Sequence, residues 1–469
     1  MIGSRGPEPR PIDHAVTTLT EDLKDVHPRR QLAGILAAVV ITIPALIVRF
    51  THPDIPHPLE ALIFGVAIVG AAFLLSWAAE VAQLDISAGL AIAILALIAV
   101  LPEYAVDFVF AFKGGESYQA ANYLACPPLP SGGAESPCSL ALANMTGANR
   151  LLIGIGWTMV VFIAFSRLRR KGLIPKGRRW DGVQLDREHS IELSYLAIAT
   201  AYSLTLPLKH SITLIDAAVL VTIFVLYTVR VSRAPAEEPH LVGPARYLGT
   251  FPDVRRRTVL IGMGVFAAAI ILLVAERFAE ALVASGQSIG ISEFLLVQWL
   301  APLASEAPEL LVAGLYAWRL NTNAGLGTLV SSKVNQWTLL VGTLPIVFAV
   351  SSASLHGLPI DDVQREELFL TAAQSFFAIA VLLNLRMSLR EAGFLFGLFW
   401  VQFILGGIVP ESLHAVERIG VGIVYLILGV WLIVGNWPAV PRLFRDGFRT
   451  PYAELANADA HLPAAHDLD

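Results

Sequence analysis

Long apolar stretches separated by short polar loops run through almost the whole chain. Most of these stretches have the length of about 20 residues that a helix needs to cross the hydrocarbon core of a bilayer. The pattern therefore predicts an all-α, polytopic membrane protein with about twelve spanning helices. We place the spans at 32–50, 59–79, 88–112, 139–165, 190–208, 211–232, 258–284, 291–318, 323–351, 363–384, 391–409 and 417–436.

Composition and charge agree with this prediction and add an orientation. Of the 469 residues, 55% are hydrophobic and only 15% are charged. Lys and Arg collect before the first span and again within 167–180, 230–257, 386–390 and 442–449. In the twelve-span arrangement all these groups lie on one side, which the positive-inside rule makes cytoplasmic. We therefore expect a multi-pass protein of the cell (inner) membrane with both termini in the cytoplasm.

Two of the predicted spans contain a proline followed by a glutamate. Pro102-Glu103 lies in LALIAVLPEYAVDFVFAFK, and Pro308-Glu309 lies in LAPLASEAPELLVAGLYAWR. A carboxylate inside an apolar span is costly and points to function, and proline removes a backbone hydrogen bond. We expect each proline to break its helix at the depth of the acid. Two such helices in corresponding halves of a chain indicate the ion site of a secondary transporter.

Aligning the two proline–glutamate pairs reveals an internal repeat. Residues 111–113 align with 317–319, which we interpret as the helix ends, and the next span in each half contains a small, polar run at 141–154 and at 325–342. The first acid-bearing helix is predicted to run from inside to outside and the second from outside to inside, so the repeat is inverted. Inverted repeats place a substrate site near the midplane and allow access to alternate between the two sides.

These segments resemble the two α-repeats of the calcium:cation antiporter superfamily, which includes sodium/calcium and calcium/proton exchangers. In that family each repeat has a helix with a G-T-S-x-P-E-like stretch and a following helix with a G-N-V-V-G-S-N-like stretch. The second repeat here, ISEFLLVQWLAPLASEAPELLVAGLYA, is the closer match. The resemblance implies a core of ten helices with one extra helix at each end.

The predicted organisation is two repeat halves between peripheral segments. Its divisions are a cytoplasmic tail at 1–31, an extra helix at 32–58, a first half at 59–233 with its motif at 86–154 and an external loop at 113–138, a cytoplasmic linker at 234–257, a second half at 258–410 with its motif at 291–342, an extra helix at 411–436 and a cytoplasmic tail at 437–469. Both cysteines, Cys126 and Cys138, lie in the external loop. An oxidising compartment favours a disulfide between them, with two free thiols as the alternative.

Glu103 and Glu309 are the first candidates to bind the transported cation. Calcium prefers six to eight oxygen ligands. Two glutamates, backbone carbonyls freed by the prolines, and the hydroxyls of Ser305 or Ser332 supply much of such a shell. The alternative is that each proline–glutamate pair only kinks its helix and that each acid is paired locally.

A second acid accompanies each of these glutamates. Asp107 lies one helical turn after Glu103, and Glu306 lies one turn before Glu309. We expect Glu306 near the centre of the site, whereas Asp107 either joins the site or is a solvated residue nearer the outer mouth. Asn149 is a further candidate ligand, although polar side chains also hold membrane helices together. The secondary candidates are Asn144, Thr146, Asn335 and Gln336.

Arg150 and Lys333 depart from the family pattern. Four candidate acids and two bases leave two negative charges if all are ionised. A buried lysine releases its proton more easily than an exposed one, so Lys333 is a candidate to exchange a proton as the acids gain a cation. Arginine stays charged, and we expect Arg150 to be a fixed counter-charge to Glu309, Glu306 or Asp107. The alternative for both bases is an ion pair that holds helices together or a side chain that reaches the interface.

The resemblance implies a secondary antiporter that exchanges Ca²⁺ or Na⁺ for H⁺ or Na⁺. The two bases make a Na⁺/H⁺ antiporter with Lys333 as an internal cation a competing hypothesis, and a non-transporting sensor or assembly subunit is another. The sequence contains neither a P-loop nor a His-Glu-x-x-His motif, so we expect neither ATP-driven transport nor a hydrolase. The expected partners are the lipid bilayer and inorganic cations, with no cofactor, nucleotide or nucleic acid. The oligomeric state stays open.

Overall fold

The computed structural model describes residues 28–82, 84–85, 101–128, 135–174, 180–233, 241, 243–290 and 292–459. In these residues the helices are α1 (Pro28–Val40), α2 (Ile43–Thr51), α3 (His57–Ala82), α4 (Leu101–Ala120), α5 (Pro137–Leu151), α6 (Thr158–Arg170), α7 (Ser190–Ser203), α8 (Leu214–Val231), α9 (Pro244–Gly249), α10 (Asp253–Ile289), α11 (Glu293–Trp318), α12 (Thr322–Asn335), α13 (Val341–Ser352), α14 (Asp362–Val381), α15 (Leu389–Ile408), α16 (His414–Gly435), α17 (Ala439–Phe448) and α18 (Tyr452–Asp459). Two short antiparallel pairs, β1 (Val183–Gln184) with β4 (Arg386–Met387) and β2 (Ser211–Ile212) with β3 (Leu358–Pro359), join the loops.

The helices match the predicted spans in number and order. In the part of the chain that the structure describes, ten helical stretches are long and apolar enough to cross a membrane. The two remaining long helices at predicted spans are α4 and α11, which carry the proline–glutamate pairs. Their acids lower the mean hydropathy, while neighbouring helices bury many of their residues. The predicted all-α polytopic fold is therefore confirmed.

A shared backbone irregularity marks the two repeats. Helix α5 continues through a π-helical segment, Leu152–Trp157, into α6, and α12 continues through Gln336–Leu340 into α13. When residues 147–149 are aligned with 331–333, both π segments begin at the same position of the repeat. Such segments are rare and often lie at functional sites. The π segments therefore indicate equivalent candidate functional positions in the two halves, beginning at Leu152 and at Gln336.

The two halves are packed into each other. Helix α5 of the first half packs against α11 of the second, and α4 packs against α13. A Cβ at Gly147 would overlap the backbone carbonyl oxygen of Gln298, and a Cβ at Gly115 would overlap Ser351 Oγ. Small residues permit this close approach of membrane helices. Each acid-bearing helix is therefore held by the opposite half of the molecule.

The predicted end of the first acid-bearing helix is wrong. Helix α4 continues to Ala120, so the loop predicted at 113–138 begins later. Gly114 and Gly115, which follow the predicted end, are buried within the helix and lie against neighbouring backbone. The loop that follows is closed by a disulfide between Cys126 and Cys138, the pairing that the sequence favours.

The predicted helix break at Pro308 is also wrong. Helix α11 runs without interruption across Pro302 and Pro308. Packing on neighbouring helices allows a membrane helix to keep its course despite the missing donors. Pro302 has no N–H for the carbonyl of Gln298, four residues earlier, and this is the carbonyl that lies against Gly147. Residues 86–100, which precede Pro102, lie outside the described part of the chain, so the helix break expected at Pro102 stays a prediction.

Helices α3 and α10 pack along each other, and ion pairs connect α10 to the segment after α3 and to α4. Arg256 donates to Asp85 through Nη2 at 2.7 Å and through Nε at 2.9 Å. The hydrogen bond from Arg256 is the largest cause that lowers the pKa of Asp85 to about 2. Toward the other end, Lys113 Nζ of α4 lies 2.8 Å from Glu280 of α10. The second ion pair connects α10 to the acid-bearing helix α4.

Candidate ion-binding site

Four acidic side chains from α4 and α11 form one cluster inside the bundle. Glu103, Asp107 and Glu306 are buried, with exposures of 3%, 0% and 2%, and Glu309 is partly buried. Glu103 lies within electrostatic range of the other three. We call these four residues the acid cluster. Asp107 faces the bundle interior, so the alternative of a solvated residue at the mouth is wrong.

The side-chain amide of Gln336 joins acids from the two repeats. Its Nε2 donates to Glu306 Oε1 at 2.8 Å and lies 3.3 Å from Glu103 Oε2. Gln336 is the first residue of the π segment after α12. The other oxygens of Glu103, Glu306 and Gln336 are buried and accept no hydrogen bond from the described residues. These three oxygen atoms, one from the first repeat and two from the second, therefore have lone pairs that no described residue uses.

Glu309 has a different environment from its counterpart Glu103. Ser332 Oγ donates to Glu309 Oε2 at 2.6 Å. The first-repeat position equivalent to Gln336 is Leu152, which has no amide to donate. Ser305 donates to carbonyl oxygens of its own helix at 3.2 and 3.3 Å, so its hydroxyl oxygen still has acceptor capacity. The two repeats thus supply chemically different halves of the cluster.

Besides Gln336, two more of the secondary candidates contact the acid-bearing helix α4. Asn144 Nδ2 donates to Asp107 Oδ1 at 2.7 Å. Asn335 Oδ1 accepts from the hydroxyl of Tyr104 at 3.5 Å. Thr146 instead donates to backbone carbonyls of its own helix. Tyr104 was not among the predicted residues, although its position next to Glu103 was a usable signal.

Lys333 lies beside the acid cluster. Its Nζ donates to the side-chain oxygen of Asn149 at 2.6 Å and to the carbonyl of Asn149 at 3.1 Å. It also lies 4.6 Å from the centre of the Trp337 ring and within electrostatic range of Glu306 and Glu103. Asn149 and Lys333 occupy equivalent positions in the aligned repeats. Their contact therefore joins the two halves beside the acids.

Arg150 has a different partner from the predicted one. Its guanidinium forms an ion pair with Glu367 of α14 and lies 4.8 Å from the centre of the Trp299 ring. The expectation that Arg150 pairs with an acid of the cluster is wrong. Successive helical residues are rotated by about 100°, so when Asn149 points toward Lys333, Arg150 points away toward α14. A second acidic pair inside a predicted span, Glu366-Glu367, was the available signal.

The donor set of the cluster consists of carboxylate, amide and hydroxyl oxygens. In the described part of the chain, no three His, Cys, Asp or Glu side chains gather closely enough to hold a metal ion by themselves. Gln336 and Ser332 instead lie between or beside the acids. Hard cations such as Ca²⁺ prefer oxygen ligands of this mixed kind, often with water. The donor chemistry of the cluster is therefore suited to a hard cation.

The comparisons with known proteins place these features in a family. The model of the sodium/calcium exchanger protein family matches residues 59–233 and 259–406. One similar solved structure is the crystal structure of the H⁺/Ca²⁺ exchanger CAX. Its sequence is 39% identical to this chain, the TM-score is 0.79, and the match covers 92% of this chain and 99% of that chain. The structure of native YfkE is 13% identical with a TM-score of 0.53, over 85% of this chain and 100% of that chain, and shows the fold alone.

The search among curated proteins found no match. The family model nevertheless spans more than half of the chain, and its two segments contain all four acids of the cluster. The identity to CAX extends over most of both chains. The chain therefore belongs to the sodium/calcium exchanger family of membrane cation exchangers, within the calcium:cation antiporter superfamily.

Proposed function

We propose that this chain exchanges Ca²⁺ for H⁺ by alternating access at the acid cluster. The observation that carries the proposal is the Gln336 amide, which joins Glu103 and Glu306 of opposite repeats while one oxygen of each stays free. A cation between them meets oxygens from both halves of the molecule. The identity of 39% to an H⁺/Ca²⁺ exchanger supports this pair of ions.

Coupling follows from competition for the same oxygens. Ca²⁺ binds ionised carboxylates, whereas a buried carboxylate without a cation is less costly when it is protonated. The cluster therefore holds either Ca²⁺ or protons when its access changes from one side of the membrane to the other. Because each acid-bearing helix packs against the opposite half, a movement between halves changes the side from which the cluster is reached.

Ion flux tests the proposal directly. Purified protein in liposomes should move Ca²⁺ when a proton gradient is imposed, and Na⁺ and K⁺ should be compared under the same gradient. We expect Ca²⁺ flux that depends on the gradient and a matching proton flux in the opposite direction. Na⁺ flux without Ca²⁺ flux would favour the Na⁺/H⁺ antiporter. No flux of any cation in either proton or sodium gradients would favour a sensor or assembly subunit.

The position of Lys333 keeps the Na⁺/H⁺ alternative open. A fixed positive charge beside Glu306 repels a divalent cation about twice as strongly as a monovalent one. In this alternative the Lys333 ammonium is the internal cation that occupies the cluster when Na⁺ is absent. The Lys333–Asn149 contact, which joins the repeats, is the specific observation that favours it.

Replacing Lys333 with alanine should change the number of protons moved per cation. The expected result is a change of about one proton per cycle, because one titratable base leaves the cluster. Paired measurements of proton and cation flux in liposomes give this ratio. Lys113→Ala, which removes a lysine paired with Glu280 outside the cluster, is the matched control. An unchanged ratio in Lys333→Ala would show that Lys333 does not take part in coupling.

A further inference from the structure

A second group of buried charges lies beside the acid cluster. Arg150 and Glu367 are 1% and 2% exposed and form an ion pair. Arg418 of α16 donates through Nε to the other oxygen of Glu367 at 2.9 Å and through Nη1 to Glu366 at 2.9 Å. We call Arg150, Glu367 and Arg418 the arginine network. Both oxygens of Glu367 are therefore bound by arginines from two different helices.

This network is close to the ion-binding cluster. Arg150 directly follows Asn149, which contacts Lys333. The Arg150 guanidinium lies over the ring of Trp299, and Trp299 precedes Glu306 by seven residues on α11, roughly 10 Å along the helix axis. Arg150 is therefore next to two elements that carry the cluster, through Asn149 on α5 and through Trp299 on α11. In a poorly solvated interior, a full positive charge acts on a cation bound nearby. The state of Arg150 therefore matters to the cluster.

We propose that Glu367 is a positioning residue that sets the charge of the ion-binding cluster by holding and neutralising Arg150. The inference rests on the proposed function. With Arg150 paired, Lys333 is the base that lies within electrostatic range of Glu306 and Glu103. The four acids and this base leave three negative charges if all are ionised. This excess suits a divalent cation. The positive charge of an unpaired Arg150 would offset part of this negative charge.

The other charges nearby support the same role. Arg418 holds the second oxygen of Glu367, which fixes the direction of the carboxylate. It comes from α16, which begins after residue 406, where the match to the family model ends. Glu417, next to Arg418, also lies within electrostatic range of Arg150, but Glu367 makes the direct ion pair. Helix α16, which lies beyond the family match, thus contributes to the electrostatics around a site on α4 and α11.

The test compares Ca²⁺ affinities of a matched set of variants. Glu367→Gln should raise the half-saturating Ca²⁺ concentration about ten-fold, and that of a competing monovalent cation about three-fold, because the work scales with ionic charge. The double variant Glu367→Gln/Arg150→Gln should return both values to within about two-fold of the wild type. Glu366→Gln removes the neighbouring acid, which binds Arg418 and not Arg150, and should leave both values unchanged. Isothermal titration at fixed pH and liposome flux provide the measurements.

A structural role predicts a different pattern. If Glu366→Gln raises the half-saturating concentration as much as Glu367→Gln, or if the double variant is not restored, the network only holds helices together and the proposal is overturned. Thermal unfolding and size-exclusion profiles in detergent identify variants that fail to fold. If Glu367→Gln fails to fold, the double variant is measured instead, and its half-saturating Ca²⁺ concentration should lie within about two-fold of the wild type. If the wild type neither binds nor moves Ca²⁺, the proposed function fails, while the same shifts measured with Na⁺ still test the role of Glu367.

Discussion

Replacing Glu103 with glutamine should reduce Ca²⁺ flux at least about a hundred-fold, equivalent to roughly 3 kcal/mol of lost binding or transition-state free energy. Glutamine keeps the size of the side chain but removes one negative charge and turns an acceptor into a donor. Glu103 lies within electrostatic range of all three other acids and has a buried oxygen that accepts no hydrogen bond from the described residues. Its loss therefore affects both the charge and the ligand set.

The flux of Glu103→Gln should be measured in liposomes beside Glu116→Gln. Glu116 lies on the same helix but is exposed, so its replacement should leave the flux unchanged. Isothermal titration of Ca²⁺ separates a loss of binding from a loss of movement. A Glu103→Gln protein that keeps more than about a tenth of the wild-type flux would show that Ca²⁺ does not pass through the acid cluster.

The fold could be predicted because its main signal is local. Each span is a contiguous apolar run whose length is set by the bilayer, and the described helices match the predicted spans closely. The acids of the cluster were found for a related reason, since a carboxylate in such a run is costly wherever it lies. Their grouping also followed from the repeat, which relates Glu103 to Glu309 without any knowledge of contacts.

The partners of these residues could not be predicted in the same way. Arg150 pairs with Glu367, which is 217 residues away in the sequence, and no local rule connects them. Gln336 was only a secondary candidate, yet it joins acids of both repeats, and these partners are 233 and 30 residues away in the sequence. Pro308 was expected to break α11, but packing by neighbouring helices maintains the helix. Contacts between distant segments decide all three outcomes.

Replacing Gly147 with alanine should destabilise the protein by about 3 kcal/mol or more and abolish transport. An added Cβ would overlap the backbone carbonyl oxygen of Gln298, which cannot rotate away as a side chain does, so α5 and α11 must separate. Helix α5 carries Asn144 and Asn149, and α11 carries Glu306. A separation of about 1 Å therefore pulls apart groups from both repeats that form the cluster, which is enough to impair a site that depends on alignment.

Thermal unfolding in detergent and Ca²⁺ flux in liposomes measure the two effects of Gly147→Ala. Gly264→Ala is the matched control, because a Cβ at Gly264 of α10 meets no atom within 4 Å. That substitution should be neutral or stabilise the helix by up to about 1 kcal/mol, since alanine loses less backbone entropy than glycine. If Gly147→Ala unfolds at the wild-type temperature and transports normally, α5 and α11 do not approach this closely. The interlocking of the two repeats would then not be what holds the acid cluster together.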